Sequence, residues 1–295
     1  MAQITANGIN IEYEEIGDKN KPTILLVMGL SGQLIMWPDS LFEGLAEQGF
    51  RVVRYDNRDV GLSHKFEDAG APDIMAIMGA VAAGQPVPPV PYKLDDMALD
   101  AVGVLDALNI DKAHIVGASM GGMIAQLVAA NHPERTQSLV SIMSTTGNPD
   151  LPPAAPEVMA RLVMPPPGTD RDSVVPHTME TQRIIGSPGY QATDEERHHN
   201  AGRYYDRAYY PIGVTRQMAA IIASDSRTEK LASVKAPTLV IHGKDDPLVP
   251  LPGGEDTAKC IPNARLEVID GMGHDLPAAL VPKMIDLIAG HAAQA

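Results

Sequence analysis

The chain has 295 residues, 44% hydrophobic and 20% charged, which is typical of a soluble globular protein with one large domain. Its net charge of −14 argues against nucleic-acid binding, because no basic stripe is available to contact phosphates. The single cysteine, Cys260, cannot form an intramolecular disulfide, and the sequence shows neither a signal peptide nor an apolar run long enough for a membrane span. We therefore expect a cytoplasmic protein without a membrane span.

The first part of the chain alternates predicted strands with predicted helices. Residues 3–15 alternate apolar and polar side chains around Asn7-Gly8, which predicts an antiparallel edge hairpin. Continuous apolar runs at 23–28 and 51–55 predict strands that are covered on both faces. The first of these runs ends in a glycine-containing loop, and α/β sheets bind ligands at such strand ends. Helical spacing follows in two segments, 37–48 and 94–108.

Two polar or irregular segments lie between these elements. The turn from Asp56 to Ser63 is rich in Asp and Arg, and we interpret it as a loop held together by its own hydrogen bonds and ion pairs. Residues 67–92 are dominated by Ala, Gly, Pro and Met with little charge, which predicts a functional or mobile loop that gates the site.

The most informative stretch is His114 to Gly122, which contains the pattern G-x-S-x-G at residues 117–121. An apolar run precedes the pattern, and a helical segment follows it as far as Asn131. Glycines two residues either side of Ser119 permit a sharp, strained turn from strand to helix, which exposes the hydroxyl. Backbone N–H groups at the start of that helix then point at the reacting centre.

The second part of the chain predicts an insertion between two strands. After a strand at 137–143, residues 147–168 are rich in proline, and the pattern from Asp172 to about 230 indicates helices separated by Pro and Gly. We interpret residues 147–229 as a helical cap inserted into a core domain of residues 1–146 and 230–295. His198 and His199 lie in the cap, and we favour helix packing over a metal site, because no third ligand has suitable spacing.

Two further strands and a closing helix complete the pattern. A strand at 237–242 leads into Asp245 and Asp246, a strand at 265–269 leads into Gly271-Met272-Gly273-His274, and a helix spans 280–291. A serine, an acid and a histidine therefore each follow a strand, in that order along the chain. This is the Ser, Asp, His order of the α/β-hydrolase fold.

Nucleophilic catalysis explains why these residue types occur together. A serine hydroxyl needs a base that accepts its proton, and an imidazole needs a carboxylate that fixes its tautomer. We assign Ser119 as nucleophile, His274 as base and Asp246 as the acid. Asp245 is the competing acid, and Asp246 is preferred because Pro247 restricts it to an extended conformation.

The remaining candidates are assigned structural or supporting roles. His114 and His242 lie on or beside strands and are expected to be structural, whereas His291 in the terminal helix is expected to face solvent. The oxyanion hole is expected to consist of the backbone N–H groups of Leu30 and Met120.

Several motifs of the chain carry a family resemblance, namely Val27-Met28-Gly29, Trp37-Pro38, Arg54-Tyr55-Asp56-Asn57-Arg58-Asp59, the turn around Ser119, Pro237-Thr238-Leu239-Val240-Ile241 and Gly271-Met272-Gly273-His274. With these motifs the chain resembles the α/β-hydrolase superfamily over nearly its full length. More narrowly, it is similar to bacterial esterases related to aclacinomycin methylesterase and to cofactor-free haloperoxidase-type hydrolases. Many relatives have a histidine before the glycine of the oxyanion-hole loop, whereas this chain has Met28, and this Met-Gly form is shared with the methylesterase group.

The resemblance implies an eight-stranded, mostly parallel sheet with a helical cap, and ester hydrolysis without metal or cofactor. It supports Ser119, Asp246 and His274 as the triad, with Leu30 and Met120 as hole donors. The leading hypothesis is a serine carboxylesterase that acts on small to medium acyl esters or methyl esters through an acyl-enzyme. The expected partner is a small-molecule ester, with a homodimer left open.

Other functions on the same residues remain open. A perhydrolase, lactonase or C–C bond hydrolase uses the same triad, because the fold does not determine the scissile bond. A ligand-binding module with little turnover is a hypothesis of a different functional class, and the intact set of Ser119, Asp246 and His274 argues against it. A haloalkane dehalogenase is disfavoured, since that chemistry uses an aspartate in place of Ser119.

Overall fold

Eight strands form one sheet in the computed structural model, which describes residues 1–295. They are β1 (Ala2–Ala6), β2 (Ile9–Ile16), β3 (Thr23–Val27), β4 (Arg51–Tyr55), β5 (Ala113–Ala118), β6 (Thr136–Ile142), β7 (Thr238–Gly243) and β8 (Arg265–Ile269). Their order is β1-β2-β4-β3-β5-β6-β7-β8, with β1–β2 and β2–β4 antiparallel and all other pairs parallel. The predicted fold class, a mostly parallel eight-stranded sheet flanked by helices, is confirmed.

Eleven α-helices surround the sheet or cover its edge. They are α1 (Asp39–Glu47), α2 (Ile74–Ala82), α3 (Leu94–Ala107), α4 (Met120–Asn131), α5 (Pro156–Val163), α6 (Arg171–Ile185), α7 (Asp194–Ala208), α8 (Pro211–Ala223), α9 (Thr228–Leu231), α10 (Pro252–Cys260) and α11 (Val281–Ala292). None of them combines the length and the apolar character that a membrane-spanning helix needs.

The sheet separates two hydrophobic cores. Side chains of a strand point alternately to opposite faces, so Leu25 and Val27 of β3 pack with α3 and α4, while Ile24 and Leu26 pack with α1 and α11. All five residues of β3 are buried. The continuous apolar run in the sequence is therefore explained by helices on both faces.

The predicted hairpin at the N-terminus is present. Asn7 and Gly8 connect β1 to β2 with φ values of +48° and +77°, as a two-residue turn between antiparallel strands requires. An antiparallel hairpin therefore forms this edge of the sheet.

The segment 67–92 differs from the expected loop. It contains helix α2, in which Asp73 accepts a hydrogen bond of 3.0 Å from the N–H of Ala76 as the N-cap. The helix packs on α8 through its buried Ile77, while Met75 on another face is 77% exposed. Apolar residues on both sides of α2 remove the amphipathic pattern that would have revealed it.

Helices α5 to α8 all lie in the chain between β6 and β7. Neighbouring members pack on one another, α5 with α6 and α6 with α7. The division into a core of residues 1–146 and 230–295 and a cap of residues 147–229 stays a prediction. The placement of these helices in the chain is compatible with it.

Candidate active site

Ser119 occupies a sharp turn between β5 and α4. Its backbone has φ +57° and ψ −122°, which L residues rarely adopt. A Cβ at Gly117 would lie 2.0 Å from the carbonyl oxygen of Gly121, and one at Gly121 would lie 2.0 Å from that of Val27. Both glycines are therefore required for the chain to turn this closely against β3, with the serine at the apex.

Ser119, His274 and Asp246 form a continuous hydrogen-bonded chain. His274 Nε2 lies 2.9 Å from Ser119 Oγ, and His274 Nδ1 lies 2.8 Å from Asp246 Oδ2. His274 and Asp246 are both buried. The structure thus brings together three residues that follow β5, β7 and β8, because parallel strands present their carboxyl ends at one edge of the sheet.

Asp246, and not Asp245, faces the histidine. The second oxygen of Asp246, Oδ1, accepts hydrogen bonds of 2.9 and 2.8 Å from the N–H groups of Leu248 and Val249. These bonds orient the carboxylate toward His274. Asp245 is exposed and accepts a hydrogen bond of 2.8 Å from the N–H of Gly271.

The other candidate histidines make their hydrogen bonds elsewhere, although His242 Nε2 also lies 3.8 Å from Asp246 Oδ2. His114 is buried, with Nδ1 2.9 Å from Ser138 Oγ, and His242 is buried, with Nε2 2.8 Å from the carbonyl oxygen of Val249. The expectation that His291 faces solvent is wrong. Its ring is buried, with Nε2 3.1 Å from the carbonyl oxygen of Pro237, because α11 packs on β6.

The loop after β3 approaches the serine closely. A Cβ at Gly29 would lie 3.0 Å from Ser119 Cβ, so only a glycine fits at this point without displacement. The next N–H, that of Leu30, donates to no acceptor within the protein. Met120 is the first residue of α4, where helical N–H groups have no partner within their own helix. Two backbone donors therefore lie beside Ser119.

The loop that carries the histidine is held by the turn after α6. The N–H of His274 donates to Ile185 with a distance of 2.7 Å, and the N–H of Gly273 donates to Ser187 Oγ at 2.9 Å. The Ser187 hydroxyl in turn donates to Asp275. Burial raises the pKa of the Asp275 carboxyl, and the hydrogen bonds from Ser187 oppose that shift. No feature of the sequence had pointed to Ser187.

The Asp/Arg-rich turn after β4 has the internal hydrogen bonds that were expected, such as those from the N–H of Leu62 and the hydroxyl of Ser63 to Asp56, but its ion pairs reach outside the turn. Asp56 contacts Arg207 of α7, Arg58 contacts Asp100 of α3, and Asp59 contacts Arg216 of α8. Asp56, Asp59 and Arg216 have side chains with no solvent exposure, and buried charges need partners. These partners come from distant parts of the chain that local pattern could not identify.

A cavity of about 1840 Å³ opens over the serine. Its walls include Leu30, Ser119, Met120 and His274, and 35 of its 61 lining residues are hydrophobic. Methionine side chains are flexible and fill irregular shapes, which suits a bulky apolar ligand. Ten of the 15 methionines line the cavity, namely Met28, Met36, Met75, Met78, Met120, Met123, Met143, Met159, Met164 and Met218.

The two adjacent histidines of α7 are not part of a metal-binding cluster. His198 and His199 lie on α7 and are both exposed. No group of three or more His, Cys, Asp or Glu side chains is arranged to hold a metal ion. Both side chains therefore lie on a solvated helix face, although His199 also reaches the rim of the cavity.

A family model described as alpha/beta hydrolase fold matches residues 22–277. The chain is 30% identical to rhodomycin D methylesterase DauP of Streptomyces sp. (strain C5), over 98% of this chain and 96% of that protein. It is 28% identical to a putative carbamate hydrolase, RutD, of Pantoea ananatis, over 93% of this chain and 91% of that protein.

A solved structure shows the same fold. The meta-cleavage product hydrolase CumD from Pseudomonas fluorescens IP01 superposes with a TM-score of 0.76 at 20% identity, covering 100% of this chain and 98% of that one. At this identity the likeness concerns the fold alone.

Proposed function

The chain belongs to the α/β-hydrolase superfamily, and on that premise we propose that it is a serine esterase that hydrolyses carboxylic esters through an acyl-enzyme. The observation that carries the proposal is the hydrogen-bonded chain from Ser119 through His274 to Asp246, in the wall of a large apolar cavity. We assign Ser119 as nucleophile, His274 as general base and acid, and Asp246 as the group that orients the imidazole.

The first half-reaction makes the acyl-enzyme. Ser119 Oγ attacks the ester carbonyl carbon and its proton passes to His274 Nε2, which lies within hydrogen-bond reach. The carbonyl oxygen becomes an oxyanion, which the N–H groups of Leu30 and Met120 stabilise. The carbon–oxygen bond to the alcohol then breaks, and His274 returns the proton to the departing oxygen.

The second half-reaction releases the acid. Water attacks the acyl carbon and gives one proton to His274, and Ser119 Oγ leaves with that proton. Asp246 holds Nδ1 protonated throughout, so Nε2 remains free to accept a proton, and the carboxylate stabilises the imidazolium that forms.

The size of the cavity guides the choice of ester. Ligand pockets commonly measure about 300–1,000 Å³, and this cavity is larger. The relative DauP is named as a methylesterase of rhodomycin D. Both observations favour the methyl esters of larger apolar acids, and the proposed substrate range also includes small to medium acyl esters.

The cap is part of the proposal. We assign residues 147–229 as a lid, because the cavity is lined both by residues of this range, such as Met159 and Met218, and by Ser119 and His274 of the core. Access of substrate then depends on the contacts between these two parts.

Hydrolysis of a p-nitrophenyl ester series from acetate to long chains, with methyl esters of bulky apolar acids, tests the proposal. Ser119→Ala should lose at least about a thousandfold in kcat with little change in its thermal transition. Ser40→Ala, a change of an exposed serine on the same cavity wall, should retain activity. Residual turnover in Ser119→Ala above about a thousandth of wild type would contradict the role of the serine.

A carbamate hydrolase is the second candidate, because proteins named as such align over 93% of the chain. The same serine would attack a carbamate carbonyl, so carbamates belong in the assay beside the esters. Turnover of carbamates alone would replace the esterase assignment, and turnover of lactones or peracid formation alone would do the same.

A further inference from the structure

Gln217 links the cap helix α8 to the loop beside the serine. Its side chain is completely buried, although glutamine is usually exposed. Its Oε1 accepts a hydrogen bond of 2.9 Å from the N–H of Ser31, which lies 186 residues earlier in the chain. Its Nε2 donates at 2.8 Å to the carbonyl oxygen of Arg58. Hydrogen bonds to both polar atoms of the amide thus fix its orientation.

The loop that Gln217 contacts is a strained turn. The N–H of Gly32 donates to the carbonyl oxygen of Gly29 at 3.1 Å, and Ser31 has φ +62°. A turn with a positive φ at its third residue is of type II, which normally places glycine there. Serine at this position costs conformational energy, so the turn needs support from elsewhere.

The N–H of Ser31 has no acceptor within this turn, and Gln217 supplies one. If that bond is lost, Ser31 can relax to a negative φ, which flips the peptide between Leu30 and Ser31. Such a flip shifts the backbone of Leu30, whose N–H must lie about 2.7–3.1 Å from an oxyanion.

We infer that Gln217 is a positioning residue, which holds the loop of residues 29–32 so that the N–H of Leu30 points into the oxyanion hole. This inference rests on the proposed esterase function. It assigns to Gln217 of α8 the role of completing the site from the side of the cap. The lid then contributes to the geometry of the reacting centre in addition to covering the cavity.

The test compares two buried glutamines. Gln217→Met removes both hydrogen bonds and nearly preserves shape. Gln126→Met is the matched control, because Gln126 is also completely buried and bonds at both ends, to Ser141 and Arg227. We expect kcat of Gln217→Met on a p-nitrophenyl ester to fall about ten- to a hundredfold with KM within about threefold. Gln126→Met should lose stability but keep kcat.

Thionoesters separate a positioning role from a general loss of structure. Sulfur is a weaker hydrogen-bond acceptor than oxygen, so a thionoester benefits less from the hole. The ratio of kcat/KM for the ester to that for the thionoester should therefore fall in Gln217→Met. Adding Ser31→Gly should restore part of the ester activity, because glycine adopts the positive φ without support.

Each outcome bears on the inference. It is overturned if Gln217→Met keeps kcat within about threefold, or loses the same factor on ester and thionoester. Should that variant fail to fold, Ser31→Pro tests the same bond at an exposed residue, since proline lacks the N–H and the positive φ; full activity would again overturn the inference. A wild type without Ser119-dependent ester turnover contradicts the proposed function instead, and removes the inference with it.

Discussion

Arg216 of α8 and Asp59 of the loop after β4 form a bidentate salt bridge with no solvent exposure of either side chain. Arg216 Nε and Nη2 each donate at 2.9 Å, to Oδ2 and Oδ1 of the carboxylate. These bonds raise the pKa of the guanidinium. Arg216 directly precedes Gln217 in α8. These two adjacent residues therefore connect the proposed cap to two loops of the core, the loop after β4 and the loop after β3.

Arg216→Met should reduce the free energy of unfolding by about 3–5 kcal/mol, because it leaves the carboxylate of Asp59 buried without its cation. Urea unfolding measures this loss, and the double variant with Asp59→Asn should recover part of it. Arg183→Met is the control, since Arg183 is 43% exposed in its pairs with Glu180 and Asp194. The free energy of unfolding should fall far less in Arg183→Met than in Arg216→Met, because solvent screens an exposed pair. Equal losses in the two single variants would contradict the prediction.

The two neighbouring aspartates should differ in their effect on catalysis. Asp246→Asn places an amide beside His274 Nδ1 and should lower kcat on the p-nitrophenyl esters by about 10³–10⁴ through the wrong tautomer. Asp245→Asn keeps an acceptor for the N–H of Gly271 on the protein surface, so kcat should remain close to that of wild type. The reverse ranking would assign the acid role to Asp245.

The position of the histidine loop should be sensitive to one methyl group. A Cβ at Gly273 would lie 2.5 Å from the carbonyl oxygen of Gly186 and 2.8 Å from that of Ile185. Gly273→Ala should therefore displace the loop of His274 and lower kcat. Gly290→Ala is the control, because Gly290 lies in α11 with open space around it.

Gly290→Ala should keep full activity and raise stability by about 0.5–1 kcal/mol through helix propensity. Thermal unfolding measures the stability of each variant, and kcat per folded enzyme is measured on the same samples. An active Gly273→Ala would show that the loop tolerates the displacement.

Acid should destabilise the protein through its buried histidines. Burial lowers the pKa of His114 to about 4, with the positive charges of His291 and Lys112 acting in the same direction. In the unfolded chain this pKa is about 6.5, so between pH 6.5 and 4 the unfolded state binds more protons. The contribution of His114 to the free energy of unfolding is therefore fully present above this window and is lost as the pH falls through it. From pH 7 to pH 5 this loss should amount to about 2 kcal/mol.

Urea unfolding of wild type and His114→Gln at pH 7, 6 and 5 measures the contribution. Glutamine keeps a hydrogen-bonding group near Ser138 but does not titrate. His242 and His291, whose pKa values burial also lowers, remain in both proteins, so the difference isolates His114. Parallel pH profiles for the two proteins would argue against the shift.

The sequence alone determined the fold class and the residues that the structure brings together at the strand ends. The prediction of these residues succeeded because the signals that identify them are local in the sequence. Gly117 and Gly121 are required by the backbone around Ser119, Pro247 restricts Asp246, and each candidate follows a predicted strand. Once the strands are parallel, their carboxyl ends meet at one edge, and Ser119, Asp246 and His274 become neighbours.

Only the tertiary structure decided which polar residues are buried and what they contact. The sequence pattern predicted a loop where α2 forms, and an exposed ring for His291. Polar residues that the sequence suggests are on the surface are also buried in the structure, namely Gln217, Ser187 and Arg216. Their partners lie up to 186 residues away, at interfaces between helices and loops that no local period encodes. The energetic cost of burying such groups is met by specific hydrogen bonds, and these exist only after the chain has packed.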